Sequence, residues 1–126
     1  MNLNRMLFRL AARGIRYRIL KATGRPARPE ALSIEVTRRC IAKCLMCNIW
    51  RMPAVSELVA ADWLKLLQSP LLSELKELDV TGGEPFLRND IVELLLGIGR
   101  LKKTHLRSLC SVAITTNGFL TDKVLK

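Results

Sequence analysis

The chain has 126 residues, 49% of them apolar and 25% charged, a composition that suits one soluble domain with a buried core. No apolar run approaches the roughly 20 residues that a membrane-spanning helix needs, and arginines recur through the N-terminal stretch, where a secretory signal would be uninterrupted and apolar. A reducing cytoplasm is therefore the expected compartment, and the net charge of +10 belongs mainly to residues 1–30, which carry eight bases against one acid.

Residues 2–22 read as an amphipathic helix. Arg5, Arg9, Arg13 and Arg16 recur at spacings of four, four and three and so share a face, while Leu3, Met6, Leu7, Leu10 and Ile15 fall largely on the other. Three uses fit such a helix. Its apolar side packs on the domain and leaves the arginines in water, or it lies as a peripheral contact on an anionic membrane surface, or it meets nucleic acid. The first is the plainest. Residues 23–29, TGRPARP, form a breaker-rich linker in which Pro26 and Pro29 cannot continue the helix. The division expected is a leader over 1–30 and a folded domain over 31–126.

Residues 32–36 alternate apolar and polar side chains, the period of a first strand. Directly after it comes CIAKCLMCNIW, residues 40–50, with Cys40, Cys44 and Cys47 at spacing C-x3-C-x2-C. Cysteines so spaced are metal chemistry before anything else, and an odd count cannot close into disulfides. A structural zinc wants four protein ligands, whereas an iron-sulfur cube held by three thiolates keeps one iron free for a substrate or cofactor. Arg38, Arg39 and Lys43 flank the thiols and favour their ionised form. The loop leaves the C-terminal end of a strand, the edge at which parallel α/β sheets bind ligands.

A connection containing Pro53 leads to a helix over 60–68, with Trp63, Leu64 and Leu67 at helical spacing and Ser69-Pro70 to stop it. Residues 75–80 read as a second strand feeding Gly82 and Gly83, which have no Cβ to keep a ligand from the backbone. A second helix starts near Asn89 or Asp90, either of which can cap it, and carries Ile91, Leu94, Leu95 and Ile98 as its apolar stripe. Gly97 and Gly99 should weaken its last turn, with Lys102, Lys103 and Arg107 in a basic connection beyond. Residues 111–115 form a third strand ending at Asn117-Gly118, and Thr121 is placed to cap a helix over 122–126. The order βαβαβ(α) predicts an α/β fold with a parallel sheet and right-handed crossovers.

Three stretches in this order, CxxxCxxC, GGEP at residues 82–85 and TTNG at residues 115–118, resemble the radical S-adenosylmethionine (radical SAM) family. The resemblance runs from about residue 32 onward. It implies a partial (β/α)6 TIM-like barrel, of which residues 31–126 hold about three units at roughly 31 residues each. A truncated frame, an excised fragment, or a chain whose partner supplies the missing half-barrel would each account for that length. The resemblance further implies a 4Fe-4S cluster on Cys40, Cys44 and Cys47, with S-adenosyl-L-methionine chelated at the fourth iron. One electron, from a donor such as flavodoxin or ferredoxin, would then cleave the sulfonium to a 5'-deoxyadenosyl radical that takes hydrogen from a substrate the sequence does not name.

Within that resemblance, Met46 occupies the position of an apolar residue near the adenine, with core packing as its alternative. Gly82, Gly83 and Glu84 would meet the methionine amino group, largely through main chain, with Glu84 adding negative charge. Asn117 would line the top of the sheet, though Asn-Gly is also simply a turn. Cys110 matches no ligand position and reads as a buried small thiol. His105 reads as a surface residue, and Trp50 and Trp63 as packing residues. The competing reading is a non-catalytic module, in which Cys110 or His105 completes a structural zinc site and the basic helix docks on nucleic acid or membrane.

Overall fold

Alternation of apolar and polar residues builds the sheet. Strands β1 (Ala31–Thr37), β2 (Glu77–Gly82) and β3 (Ser111–Ile114) run parallel in the order β1-β2-β3. Ala31, Glu77 and Ser111 form one row across the sheet, and Ser33, Asp79 and Ala113 another. Ile34, Val36, Leu78 and Val80 point into the core, while the residues between them face the open side. The structure is a computed structural model and describes residues 3–125. Asn2, where the N-terminal helix was expected to start, and Lys126, where the last helix was expected to end, lie outside the described residues.

Helix α1 (Leu3–Ala22) precedes the sheet. The crossovers carry α2 (Ala60–Leu67) and α3 (Ile91–Thr104), which pack on each other and on the apolar face of the sheet. Helix α3 buries Ile91, Leu94, Ile98 and Leu101, a stripe at spacings of three and four. Leu67, Leu75, Leu106 and Leu109 fill the remaining core, and each such side chain contributes about 1.5–3 kcal/mol of burial. A short α4 (Thr121–Val124) follows β3.

Several local expectations are corrected. Helix α3 continues through Gly97 and Gly99 to Thr104, so Lys102 and Lys103 lie in its last turn, where the helix dipole favours cations. Gly97 is needed there, because a Cβ would run into the side chain of Leu64 where α2 crosses α3. Asp90 stands at the N-terminus of α3 but makes no cap to it; its carboxylate instead accepts from Ala60 N–H, 2.7 Å away, at the start of α2. Thr121 is the first residue of α4, with Leu120 in the cap position.

The largest correction concerns α1. None of its residues is buried, and its apolar side does not pack on the domain. The arginine side faces inward instead, with Arg13 on Glu30 at 2.7 Å and Arg16 on Glu74 at 2.6 Å. Arginines find acids at the rim of the sheet.

Candidate metal centre

The thiol loop springs from a bulged strand end. Register between β1 and β2 slips between Glu35 and Thr37, which bends β1 as it enters the loop. All of Cys40, Cys44 and Cys47 are free thiols; Cys40 is half-buried and the other two are exposed. Cys47 N–H donates to Cys44 carbonyl at 3.3 Å, a single local turn. Leu45 and Met46 are fully in solvent at 100% and 99% exposure, which removes core packing as a role for Met46. At the loop's far end Trp50 is half-buried, with the Arg51 guanidinium 4.6 Å and the Lys43 ammonium 5.7 Å from its ring centre.

Beside the loop lies a second, tightly bonded assembly. Glu84 is fully buried, and its carboxylate accepts from Thr116 Oγ1 (3.0 Å to each oxygen), Asn117 N–H (2.8 Å) and Phe86 N–H (3.1 Å). A buried carboxylate of this kind must be fully partnered, and the partners here join GGEP to TTNG. Gly83 N–H donates to Thr37 carbonyl (2.7 Å) and Glu84 N–H to Arg39 carbonyl (2.8 Å), which fastens the same knot to the root of the thiol loop. Both glycines are required by that approach. Gly82 has φ +132, and a Cβ on it would strike the backbone of Thr37, while one on Gly83 would strike Arg39. Asn117 turns its amide toward Cys40, Nδ2 to Sγ 3.7 Å, while its Oδ1 accepts from Phe119 N–H at 3.0 Å. The structure thus brings Gly82, Gly83, Glu84, Asn117 and Cys40 together, and leaves Cys44, Met46 and Cys47 out on the loop.

Two further groups brace the root, and the sequence reading did not single them out. Glu57 accepts from Thr37 Oγ1 (2.7 Å) and Arg38 N–H (2.9 Å), and lies 3.5 Å from Arg39 Nε. Burial opposes its ionisation, but these donors and the charges of Arg39 and Arg88 outweigh it and hold the carboxyl below its usual range. Arg88, 4% exposed, donates to the carbonyls of Val36 (2.5 Å) and Leu58 (2.9 Å) and grips both carboxylate oxygens of Asp90 through Nε and Nη2, 2.9 and 2.7 Å. Asp90 is likewise lowered: burial opposes ionisation, and Arg88 together with Ala60 N–H overcomes it. Partners 52 and 30 residues away in the chain have no local signature, so nothing near Arg88 announced this role.

Cys110 and His105 sit elsewhere. Cys110 N–H bonds to the carbonyl of Lys76, just before β2, and His105 ends α3, so both stand at the opposite edge of the sheet from the thiol loop. Cys110 is exposed, not buried, with its thiol donating to Ser108 carbonyl at 3.2 Å. Neither residue is placed to complete a zinc site with the three thiols. Among the described residues no three His, Cys, Asp or Glu side chains converge on one point. The donor chemistry of the loop, three soft thiols with no carboxylate between them, nonetheless fits an iron-sulfur cluster with three cysteine ligands.

Comparison with known proteins identifies the family. The model of the Radical SAM superfamily matches residues 34–126. A probable GTP 3',8-cyclase of Methanopyrus kandleri is 34% identical over 100 residues, which cover 79% of this chain and 29% of that protein. The GTP 3',8-cyclase of Listeria welshimeri is 29% identical over 98 residues, 75% of this chain and 28% of the relative. Among solved structures, SuiB of Streptococcus suis bound to S-adenosylmethionine superposes with TM-score 0.64 at 28% identity, covering 80% of this chain and 22% of SuiB. The chain therefore spans under a third of the length of these proteins. With three parallel strands, helices in the crossovers and a family match over most of its length, the chain belongs to the Radical SAM superfamily.

Proposed function

We propose that residues 31–126 are the N-terminal part of a radical SAM core, preceded by a separate leader over 1–30, and that further βα units in the same or another chain complete the barrel. Cys40, Cys44 and Cys47 would ligate a 4Fe-4S cluster, and S-adenosylmethionine would take the iron they leave free. When bound, this pair supplies one-electron cleavage of the sulfonium and hydrogen abstraction from a substrate, with the electron delivered by a small donor protein such as flavodoxin or ferredoxin.

The observation that carries the reading is the knot beside the thiols. Its glycines hold the Gly82–Glu84 backbone against Thr37 and Arg39 at the loop's root, and its Asn117 amide is aimed at Cys40. Gly82 and Gly83 would offer main chain to the cofactor's amino end, with Glu84 as the positioning residue that keeps them there. Arg38, Arg39 and Lys43, beside the thiols in the chain, would offset an anionic cluster. Met46, free of protein contacts, is open to cover the adenine.

The open sheet face carries Glu77, Asp79, which accepts from Ser33 at 3.1 Å and Thr115 at 3.2 Å, and Glu35, which pairs with Arg38 at 3.1 Å. Anaerobic reconstitution of the chain should bind about four irons and four sulfides, and Cys44→Ala should lose them. Equal iron in the variant, or zinc without sulfide in the parent, would sink the assignment.

A further inference from the structure

Helix α1 presents its apolar side to nothing. Twenty residues make a rod of about 30 Å, held to the α/β body by Arg13 on Glu30 and by Arg16, with Arg28, on Glu74. Those pairs turn the arginine side inward and so commit the opposite side outward. There Leu7, Phe8, Ile15 and Ile19 are all more than half exposed, and Phe8, Ala11, Ala12, Ile15 and Ile19 line an apolar hollow of about 440 Å³, with Arg16 and Leu20 at its border. A contiguous apolar surface of this kind marks an interaction site.

Charge identifies what covers it. The first thirty residues carry +7, and Arg5, Arg9, Arg18, Lys21 and Arg25 make no ion pair among the described residues. Arg18 falls within the apolar side, one turn after Ile15 and in line with Leu7 and Ala11, and Lys21 follows at its border. A second copy packed on this face would bury Arg18 without a partner, which is costly. A lipid surface has no such penalty, since arginine stems lie along acyl chains while their heads reach anionic headgroups. Nucleic acid would need the arginine side, where Glu30 and Glu74 already occupy Arg13 and Arg16. No helix among the described residues is long and apolar enough to cross a membrane.

We propose that α1 lies in the plane of an anionic lipid surface, apolar side in, and holds the protein there as a peripheral anchor. The inference stands apart from the cofactor reading and does not depend on it.

The test is co-sedimentation of the full chain with vesicles of phosphatidylcholine alone or mixed with phosphatidylserine, at low and at physiological salt. Binding to the serine-containing vesicles should exceed binding to the neutral ones by about tenfold or more and weaken with salt. Phe8→Glu with Ile15→Glu should abolish it while the far-UV spectrum and melting of the α/β body stay as in the parent. Arg18→Glu should reduce the preference for serine lipid and leave weak binding to neutral vesicles. Absence of pelleting at low salt would overturn the proposal, as would equal binding by the apolar variant. So would a stable dimer in solution that the apolar variant dissociates, since a second copy would then own the face.

Discussion

The thiol loop and the Glu84 knot share one edge of the sheet and are built in opposite ways. In the knot Glu84 is bonded by Thr116 and Asn117, and Gly83 and Glu84 N–H donate to the backbone carbonyls of Thr37 and Arg39. In the loop one turn bond links Cys44 to Cys47, and Leu45 and Met46 touch almost nothing. The difference indicates which half folding supplies; on the proposed function a bound cluster would supply the other. A preformed cradle lowers the ordering cost of binding, and an open thiol loop leaves room for the inorganic centre proposed to close it.

The contrast can be broken from the loop side first, where the effect is largest. On reconstitution the amides of residues 40–47 should gain hydrogen-exchange protection while those of residues 82–86 and 115–118 change little; chelating the iron should reverse this. Equal gains in both segments would mean the knot is not preformed.

The root is next. Arg88→Met strips partners from two backbone carbonyls and leaves Asp90 without its cation, and should cost about 3–5 kcal/mol in urea unfolding. A loss under 1 kcal/mol would show the root is held by other means. Glu84→Ala leaves the Thr116 hydroxyl and the Asn117 and Phe86 amides unpaired, for about 2–4 kcal/mol.

Acid should act on the same braces more gently. Glu57 and Asp90 are held below the values they take in the unfolded chain, roughly 4. Unfolded chain then binds more protons than folded chain at low pH, so this stabilisation is complete above that value and fades as pH falls through the folded pKa values. Urea midpoints should be level from about pH 6 down to 5 and decline below about 4, and Asp90→Asn should flatten the decline. A decline that begins near pH 6 would implicate some other group. Smallest of all, Met46→Ser should shift stability by no more than about 0.5 kcal/mol, because nothing packs on that side chain.

Much of this architecture was legible in the sequence, and the reasons differ by element. Periodicity exposed the α3 stripe of Ile91, Leu94 and Ile98 and the alternation of β1, because burial acts residue by residue along a single element. The cysteine spacing and the order of the three motifs were equally visible. Periodicity shows that α1 has two faces, but which face turns inward depends on Glu30 and on Glu74, 58 residues from its partner Arg16. The same holds for Arg88, Asp90 and Glu57, whose partners come from other elements. By sequence, Gly82 and Gly83 are room for a ligand. They are also room for the chain's own backbone at Thr37 and Arg39, a packing demand that a single sequence does not display.

The most direct test of the three-thiolate account is electron paramagnetic resonance of the anaerobically reconstituted, reduced chain, recorded before and after adding S-adenosylmethionine. An iron without a cysteine should respond to the cofactor, so the cluster signal should shift in the parent and be lost in Cys40→Ala, Cys44→Ala and Cys47→Ala alike. A signal that ignores S-adenosylmethionine, or one that survives loss of any of these cysteines, would contradict the account.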